Sequence, residues 1–364
     1  MKIKTNKETL VKAAGLIQNV ISTKATLPIL SNFLMETDKD KVRISATDLD
    51  ICISFNLPVE VVEEGSITIP AKRFSDIVRD LPVEDINIKV NENNSISIKT
   101  QRCFFKLSGL SKDEFPKLPK ILEEERIVIS QSVLKTMLNL TAFAVSNDET
   151  RHVLNGILFS VNDKQIKMVS TDGRRLAVID QELSVSSKFK RDVIVSLKAI
   201  KELLRNLKDT GDTTILFSEN QISFKVNDVT IISRLIEGQF PSYEKVIPAE
   251  TNNKIVVDKK RFLDATKRVS NLTSPNSLAI KISVSEDKLI FSKNTPDIGE
   301  SKEEIDIDYK GVDIAIGFNP QYLIDVLRSV EDNVINFELT NEEKPGVIRA
   351  ENNYIYIVLP MQIT

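Results

Sequence analysis

The sequence contains no tryptophan, one histidine, two cysteines and only 11 glycines among 364 residues. His152 and the two cysteines are too few to build a histidine and cysteine metal centre, and we expect no metal and no cofactor. The glycines form no phosphate-binding loop of the Walker or dinucleotide type. Without tryptophan and with only five tyrosines, an aromatic platform for single-stranded nucleic acid is disfavoured.

Long hydrophobic runs are also missing. No stretch approaches the roughly 18 apolar residues that a membrane-spanning helix requires, and the first residues lack the apolar segment of a signal peptide. Cys52 and Cys103 each lie in an apolar, strand-like run, which predicts two reduced core thiols. We therefore expect a cytoplasmic protein without membrane contacts. With 41% hydrophobic and 28% charged residues the chain has the composition of a globular protein, and its length of 364 residues predicts two or three domains.

Carboxylates are plentiful, but no spacing singles out a pair that could act as general acid and base. We therefore assign no catalytic residue and expect no enzyme activity. One alternative stays open: a hydrolase of carbohydrates or phosphates could use surface carboxylates in a convergent polar cleft.

The most informative feature is internal repetition. An apolar run enters an amphipathic helix pattern at Pro70, Ser196 and Asn319, which are 126 and 123 residues apart. Apolar runs surround Thr47, Thr171 and Asn294 at separations of 124 and 123 residues. The pairs Phe115-Pro116 and Phe240-Pro241 are 125 residues apart. The chain is thus predicted to contain one module of about 124 residues three times.

Each module has the same pattern of elements. A helix opens it behind the candidate caps Asn6, Ser130 and Asp258, followed by short alternating strands, a second helix and further strands. This pattern predicts an α+β fold of three similar domains, each with two helices packed on antiparallel sheet. The predicted domains are residues 1–124, 125–250 and 251–364.

Charge is distributed unevenly over this plan. The six predicted helical spans sum to a net charge of +8, whereas the rest of the chain carries −11; the spans are 6–20, 70–81, 130–146, 196–208, 258–272 and 319–331. Basic helices in an acidic protein indicate a partner with a phosphate backbone, although ordinary solvated helix faces would give the same count. The pattern alone nominates Lys201, Arg205, Lys259 and Lys267.

The segment "MVSTDGRRLAVID" (168–180) places Asp172-Gly173 between two apolar runs. Asp-Gly in this setting predicts a β-hairpin turn. Taken alone, the segment indicates a turn and no more.

Six motifs in register resemble the bacterial DNA polymerase III beta subunit family, the sliding clamps. They are "KATLPILSNFL" (24–34), "RHVLNGILF" (151–159), "STDGRRLAV" (170–178), "EGQFPSYEKVIP" (237–248), "FNPQYLIDVL" (318–327) and "YIVLPM" (356–361). The resemblance implies a head-to-tail homodimeric ring that encircles double-stranded DNA without regard to sequence. Its implied partners are the DNA polymerase III catalytic subunit, the clamp loader, and other replication and repair proteins that carry clamp-binding peptides.

The resemblance also implies the site residues. The apolar pocket for partner peptides would comprise Leu154, Thr171, Leu176, Pro241, Val246, Ile357 and Leu359, with Gly173, Arg174, Arg175, Pro360 and Met361 lining the rest; Arg175 would offer its donors to a peptide carbonyl or carboxylate. The residues matching DNA-facing positions are Lys24, Arg151 and Lys198, together with His152. The dimer joint would pair a strand containing Phe104, Phe105 and Leu107 with an edge near Leu272, and place Arg73 and Arg102 opposite Glu300, Glu303 and Glu304.

Two departures from the family pattern are evident. The chain ends in Gln362, Ile363 and Thr364, where many clamps carry a basic residue and a leucine, and His152 stands where a tyrosine is common. His152 could contact DNA or be a solvated loop residue. An open scaffold of the same modules, without encircled DNA, is the second alternative; it would be a monomer or an open array.

Overall fold

The computed structural model of the protein describes residues 1–21, 27–119, 125–249 and 253–363. Within these ranges the α-helices are α1 (Lys7–Gln18), α2 (Ala71–Asp80), α3 (Gln131–Ala142), α4 (Leu197–Asn206), α5 (Lys259–Ser270) and α6 (Pro320–Ser329). Short 3₁₀ helices occupy Pro28–Ser31, Lys112–Glu114, Glu149–Leu154 and Glu244–Val246.

The strands follow in chain order. The first third of the chain contains β1 (Lys2–Asn6), β2 (Asn32–Asp38), β3 (Lys41–Thr47), β4 (Ile51–Pro58), β5 (Glu60–Glu63), β6 (Ser66–Pro70), β7 (Asp85–Val90), β8 (Ser95–Lys99) and β9 (Phe104–Ser108). The middle third contains β10 (Glu125–Ser130), β11 (Gly156–Asn162), β12 (Gln165–Thr171), β13 (Arg175–Glu182), β14 (Lys190–Ser196), β15 (Asp212–Phe217), β16 (Gln221–Val226) and β17 (Val229–Ile236). The last third contains β18 (Lys254–Asp258), β19 (Ile280–Ser285), β20 (Lys288–Thr295), β21 (Gly299–Asp306), β22 (Ile314–Phe318), β23 (Val334–Glu338), β24 (Gly346–Ala350) and β25 (Tyr354–Val358).

The order of elements repeats three times. Each third runs strand, helix, four strands, helix and three strands, and the first third adds the short strand β5. The predicted α+β fold of three similar domains, each with two helices and antiparallel sheet, is therefore confirmed. The exact domain boundaries stay a prediction.

The chain divides into two compact units by its contacts, and each is described by itself. The first unit comprises Met1–Ser132 and Lys198–Leu235. Its antiparallel strands form the path β10-β15-β16-β17-β4-β3-β2-β6, in which the middle third joins the first through β17 and β4. A second sheet runs β5-β1-β7-β8-β9.

The second unit comprises Val133–Leu197 and Ile236–Thr364. It repeats the same path as β18-β23-β24-β25-β13-β12-β11-β14, with the last third joined to the middle one through β25 and β13. Its other sheet runs β21-β20-β19-β22. The two paths are equivalent, because in each the last strand of one third pairs with the fourth strand of the third before it.

The first helix of each repeat is buried at the same spacing. In α1 the buried residues are Leu10, Ala13, Ala14 and Ile17, and in α5 they are Phe262, Ala265, Thr266 and Val269. Positions i, i+3, i+4 and i+7 form one apolar stripe, so each helix packs one face on the core and leaves the other free.

All three predicted caps directly precede a helix, and a capping hydrogen bond is present at two of them. Asn6 and Asp258 accept hydrogen bonds from the backbone N–H groups of Thr9 and Arg261, which satisfies donors that a helix leaves unpaired. The third, Ser130, directly precedes α3, and its Oγ lies 2.8 Å from Ser132 Oγ; its role as a cap stays a prediction.

Other expectations need correction. The helix predicted over 130–146 ends at Ala142. Cys52 is a buried strand residue as predicted, but Cys103 is half-buried and lies in the turn before β9. Thr100 Oγ1 accepts the backbone N–H of Cys103, and this turn interrupts the alternation that the sequence suggested. None of the described helices is long and apolar enough to cross a bilayer.

Candidate functional site

The turn between β12 and β13 is built from side-chain hydrogen bonds to its own backbone. Thr171 Oγ1 donates to the carbonyl of Arg175 at 2.5 Å and accepts from the N–H of Gly173 at 3.0 Å. Asp172 Oδ1 accepts from the N–H groups of Arg174 and Arg175 at 2.9 and 3.1 Å. Gly173 has φ +87°, a conformation that glycine adopts without strain. The predicted hairpin is present, and these hydrogen bonds hold the backbone of residues 173–175 in place.

Arg175 is locked beneath this turn. Its guanidinium donates to Asp172 Oδ2 at 3.0 Å, to Asp325 Oδ2 at 2.6 Å and to the carbonyl of Phe143 at 2.5 Å. It also lies 4.5 Å from the ring centroid of Tyr322 and 5.5 Å from that of Phe143, within the range of a cation–π contact.

The electrostatics agree with this geometry. Burial by itself would lower the pKa of Arg175, but Tyr356, Asp325 and Asp172 outweigh it, and the net shift of the pKa is upward. The expectation that Arg175 offers its fork of donors to a peptide therefore needs correction. Most of that fork is used within the chain, and Arg175 holds the turn against α6.

An apolar cavity of about 190 Å³ opens beside the turn. Leu176 and Ile357, which face each other across β13 and β25, are 4% and 2% exposed and form its floor. Val246 and Leu359 are 54% and 42% exposed, so its sides present apolar surface to solvent. Ten of the twelve residues that the resemblance assigned to the pocket line this one cavity: Leu154, Thr171, Gly173, Arg174, Arg175, Leu176, Pro241, Val246, Ile357 and Leu359.

The sequence reasoning missed two residues of the cavity lining, Ser242 and Tyr243. Tyr243 is buried in the apolar cluster below the cavity and its ring lies 6.4 Å from that of Phe240. Burial, with Glu244 beside it, raises the pKa of Tyr243 to about 12. Both residues lie in the segment "EGQFPSYEKVIP", between Pro241 and Val246, which the sequence did assign to the pocket. That position between two assigned residues could have indicated them.

The remaining two residues, Pro360 and Met361, line an adjoining cavity of about 510 Å³ that shares Arg174 and Leu359 with the first. The backbone N–H of Met361 donates to the carbonyl of Gly317 at 2.8 Å, which fixes the tail beside β22. The residues that the sequence did not nominate here are Pro275, Asn276, Leu278, Ala279, Tyr322 and Gln362. No motif pointed to 275–279.

Together the two cavities form a groove with an apolar pocket at one end and a more polar end along the tail. An apolar pocket with few polar groups is suited to capture the side chains of a short extended peptide. In the described ranges no group of three or more histidine, cysteine, aspartate or glutamate residues is arranged to hold a metal ion.

The basic candidates in the middle third are mostly exposed. Lys198, Lys201 and Arg205 follow one another along α4. Lys198 forms an ion pair with Asp48, and Arg205 pairs with Glu202 at 2.9 Å. Arg151 and His152 are exposed on the 3₁₀ helix Glu149–Leu154, where Arg151 pairs with Asp148 at 3.1 Å.

Lys259 has a structural task. Its Nζ donates to the carbonyls of Val330 and Glu331 at 2.7 and 3.2 Å, just past the last turn of α6. Lys7 at the start of α1 donates in the same way to the carbonyl of Leu81. This repeated contact links the two helices of a repeat and makes Lys259 a weaker DNA candidate. Lys267 is half-buried on α5, and Lys24 lies outside the described residues.

The apolar interface candidates lie on a sheet edge. Phe104, Phe105 and Leu107 belong to β9, the last strand of its sheet among the described residues. Phe104 and Phe105 are 63% and 36% exposed, which is unusual for large apolar side chains on a strand. Arg73 on α2 and Arg102 in the preceding turn are exposed as well.

The acidic interface candidates lie on another edge strand, β21. Two of them have partners in the same chain: Glu303 pairs with Arg268, and Glu304 pairs with Lys288 at 2.9 Å and Lys302 at 2.6 Å. The hydrogen bonds from Lys302 and Lys288 lower the pKa of Glu304 to about 2. Glu300 is exposed, and Leu272 is half-buried just after α5.

Comparison with known proteins gives a consistent result. The family models of the DNA polymerase III beta subunit match in tandem, the N-terminal domain at residues 1–119, the central domain at 128–242 and the C-terminal domain at 244–362. The beta sliding clamp of Chlamydia pneumoniae is 30% identical over 363 residues and covers 100% of this chain and 99% of its own. The crystal structure of the DNA polymerase sliding clamp from Bacillus subtilis superposes with a TM-score of 0.96 at 31% identity, with complete coverage of both chains.

Proposed function

Because the chain belongs to the DNA polymerase III beta subunit family, we propose that it is a homodimeric ring that encircles duplex DNA. The ring tethers the replicative polymerase to its template and so confers processivity. Its function is topological, and no catalytic step is assigned to it. We place it in the cytoplasm, together with the DNA.

One observation carries the proposal of a ring. The last strand of one third of the chain pairs with the fourth strand of the third before it. Strand β17 of the middle third pairs with β4 of the first, and β25 of the last third pairs with β13 of the middle. Applying the same rule to the whole chain leaves β9 and β21 as the two equivalent strands without such a partner among the described residues. A second copy supplies the missing partner at each end.

This pairing would close the ring head to tail. Joining β9 of one protomer to β21 of the other forms an eight-stranded path equivalent to the two that each chain already contains. It would also cover the exposed rings of Phe104 and Phe105, which on a free edge strand invite aggregation. A dimer with two such joints leaves neither β9 nor β21 unpaired in either protomer, which is the condition for a closed assembly.

Basic side chains support the DNA partner. Arg151, His152, Lys198, Lys201, Arg205 and Lys267 would face the duplex, and their positive charge would attract phosphates without reading the bases. A closed ring needs little direct affinity, because release requires opening a joint or reaching a DNA end. Binding is therefore expected to be weak and dependent on salt.

The groove between the turn and the tail would receive the partners. Its apolar pocket fits the anchor side chains of short peptides from the DNA polymerase III catalytic subunit, the clamp loader, and other replication and repair proteins. Binding energy is expected to concentrate on the floor residues Leu176 and Ile357 and the exposed side chain of Leu359.

The test combines assembly with topology. Sedimentation of the wild-type chain should give a dimer of the 41.0 kDa protomer, whereas Leu107→Glu with Leu272→Glu should give monomers, because two buried charges would face the joint. Val83→Glu is the matched control, since Val83 is 89% exposed and lies outside the edge strands.

Topology is tested with DNA. After loading by a bacterial clamp loader, the dimer should remain on a nicked circle and be lost when a restriction cut makes the circle linear. A monomeric wild type, or equal retention on circular and linear DNA, would favour the open scaffold instead.

A further inference from the structure

The turn beside the peptide pocket has a second copy in the first third of the chain. Thr47 Oγ1 donates to the carbonyl of Ile51 at 2.8 Å and accepts from the N–H of Leu49 at 3.0 Å. Asp48 Oδ1 accepts from the N–H groups of Asp50 and Ile51 at 3.1 and 2.8 Å. These bonds match those of Thr171 and Asp172 one for one. Leu49, at φ +80°, adopts the backbone conformation that Gly173 has at +87°.

The strand that follows the turn is paired in the same way in both copies. Cys52 faces Ile232 across β4 and β17, as Leu176 faces Ile357 across β13 and β25. The N–H of Arg234 donates to the carbonyl of Asp50 at 2.8 Å, as the N–H of Leu359 donates to the carbonyl of Arg174 at 2.9 Å. The backbone therefore makes Cys52, Ile232 and Arg234 the counterparts of Leu176, Ile357 and Leu359.

A cavity opens at this second turn as well, entirely within the first unit. It encloses about 270 Å³ against about 190 Å³ for the apolar pocket, so the first copy does not lack room. Pro116 contributes to it as Pro241 does to the other, each after a phenylalanine. Its lining is Thr47, Leu49, Asp50, Cys52, Pro116, Lys117, Leu118, Pro119, Asn220, Gln221, Ile232 and Arg234.

The side chains differ at the positions that would contact an anchor. Arg234 stands in place of Leu359, Asp50 in place of Arg174, and Cys52 in place of Leu176. Arg234, Asp50 and Lys117 are exposed, so their charges are hydrated. An apolar side chain entering this cavity would strip water from those charges without offering a hydrogen bond, which is unfavourable.

We propose that each protomer contains two copies of one peptide cradle, and that Arg234, Asp50 and Cys52 are specificity-determining residues that exclude apolar-anchored peptides from the first copy. The inference rests on the proposed function of the apolar pocket. Its consequence is one partner peptide per protomer although the backbone provides two sites, so that a dimeric ring presents two occupied positions and not four.

The main test restores the apolar lining. The probe is a synthetic peptide that copies the clamp-binding tail of a replicative polymerase, measured by titration calorimetry on the full chain. Asp50→Arg with Cys52→Leu and Arg234→Leu should raise the stoichiometry from one peptide per protomer to two. Adding Leu176→Ala to this variant should remove the original site and leave one.

Two further variants keep the proposal testable if the triple variant does not fold. Cys52 is buried, so Asp50→Arg with Arg234→Leu, both at exposed positions, repeats the swap without touching the core. The reciprocal change, Leu359→Arg, should weaken peptide binding at the original pocket by at least roughly 30-fold, a hot-spot loss. Melting curves confirm that each variant is folded.

The outcomes separate the two proposals. If the unchanged chain binds no peptide, or binds it equally well with Leu176→Ala, the proposed function of the apolar pocket fails. If the unchanged chain binds one peptide that Leu176→Ala abolishes, while both swapped variants fold and still bind only one, the duplicated cradle is overturned. A peptide affinity that Leu359→Arg leaves unchanged would equally overturn the role given to Arg234.

Discussion

Two adjacent arginines at the hairpin turn have different tasks. Arg174 is exposed and lines both cavities, where it is free to meet a ligand. Arg175 turns inward, and its side chain is 10% exposed between Asp172 and Asp325. Residue type alone does not separate them, because both have the same donors and charge. The difference comes from the alternation of the strand that begins at Arg175.

This difference predicts unequal stability effects. Arg175→Met should lower the free energy of unfolding by about 2–3 kcal/mol, because it leaves two part-buried carboxylates without their common partner. Arg174→Met is the matched control and should change stability by less than about 0.5 kcal/mol. Denaturant unfolding followed by circular dichroism would measure both. Equal effects of the two substitutions would contradict the buried network.

The two cysteines should differ in reactivity. Burial raises the pKa of the Cys52 thiol to about 12, so at pH 8 roughly one part in ten thousand is the reactive thiolate. Cys103 is half-buried in a turn, where reagents can reach it. In the monomeric Leu107→Glu, Leu272→Glu variant, whose proposed joint beside Cys103 is open, mass spectrometry after iodoacetamide treatment should show one modified cysteine in the folded protein and two after unfolding. The single fast modification should disappear in Cys103→Ser, and rapid labelling of Cys52 would contradict its burial.

At the scale of elements, the peptide groove depends on strand pairing. Strand β25 brings Ile357 opposite Leu176, and the chain then continues through Leu359 to Met361 along the groove. The groove thus consists of a hairpin and of a strand with the tail that follows it, and the hairpin is far from both in sequence. The dimer joint would use other elements, β9 and β21.

This separation predicts that binding and assembly can be uncoupled. Leu176→Ala or Leu359→Ala should weaken a partner peptide by about 2 kcal/mol, roughly 30-fold in dissociation constant, because each removes an apolar contact of the anchor. Sedimentation should still show a dimer. Gln362→Ala is the control and should have little effect, since a neutral side chain at the groove edge leaves no buried charge behind. Near-wild-type affinity in Leu176→Ala would remove the turn from the binding site.

At the scale of the whole molecule, charge is segregated although the net charge is only −3. Five of the six α-helices in the described part of the chain carry a net positive charge, and α4 carries Lys198, Lys201 and Arg205 at exposed positions. Such segregation lets an acidic protein attract a duplex locally while its remaining surface repels it.

The segregation predicts a defined response to salt. Lys201→Gln with Arg205→Gln should weaken binding to any duplex equally and reduce the slope of log affinity against log salt by roughly 0.9 per lost phosphate contact. Lys188→Gln, an exposed lysine outside the helices, is the control and should change neither quantity. Fluorescence anisotropy with two unrelated duplexes at several salt concentrations would measure the effect. A strong preference for one duplex would contradict sequence-independent binding.

The repeat explains why so much was predictable from sequence. Three copies of one pattern of helices and strands give the fold class directly, since apolar period and turn residues act locally. The pocket residues could be nominated because they lie in short motifs, around Thr171, Pro241 and Ile357, that resemble those of the clamp family. Ser242 and Tyr243 lie within those motifs but were missed, and 275–279 carries no motif.

The sequence by itself determined the α+β class, the threefold repeat, the hairpin at Asp172-Gly173 and the basic character of the helices, because each follows from local pattern and composition. Only the tertiary structure decided that Arg175 is bound by Asp325, 150 residues away, and that Lys259 closes the end of α6. It also showed that Arg234 and Leu359, 125 residues apart in the repeat, make the same backbone hydrogen bond beside equivalent turns. The physical reason is that strand register and helix packing bring together residues whose separation in the chain carries no signal of their contact.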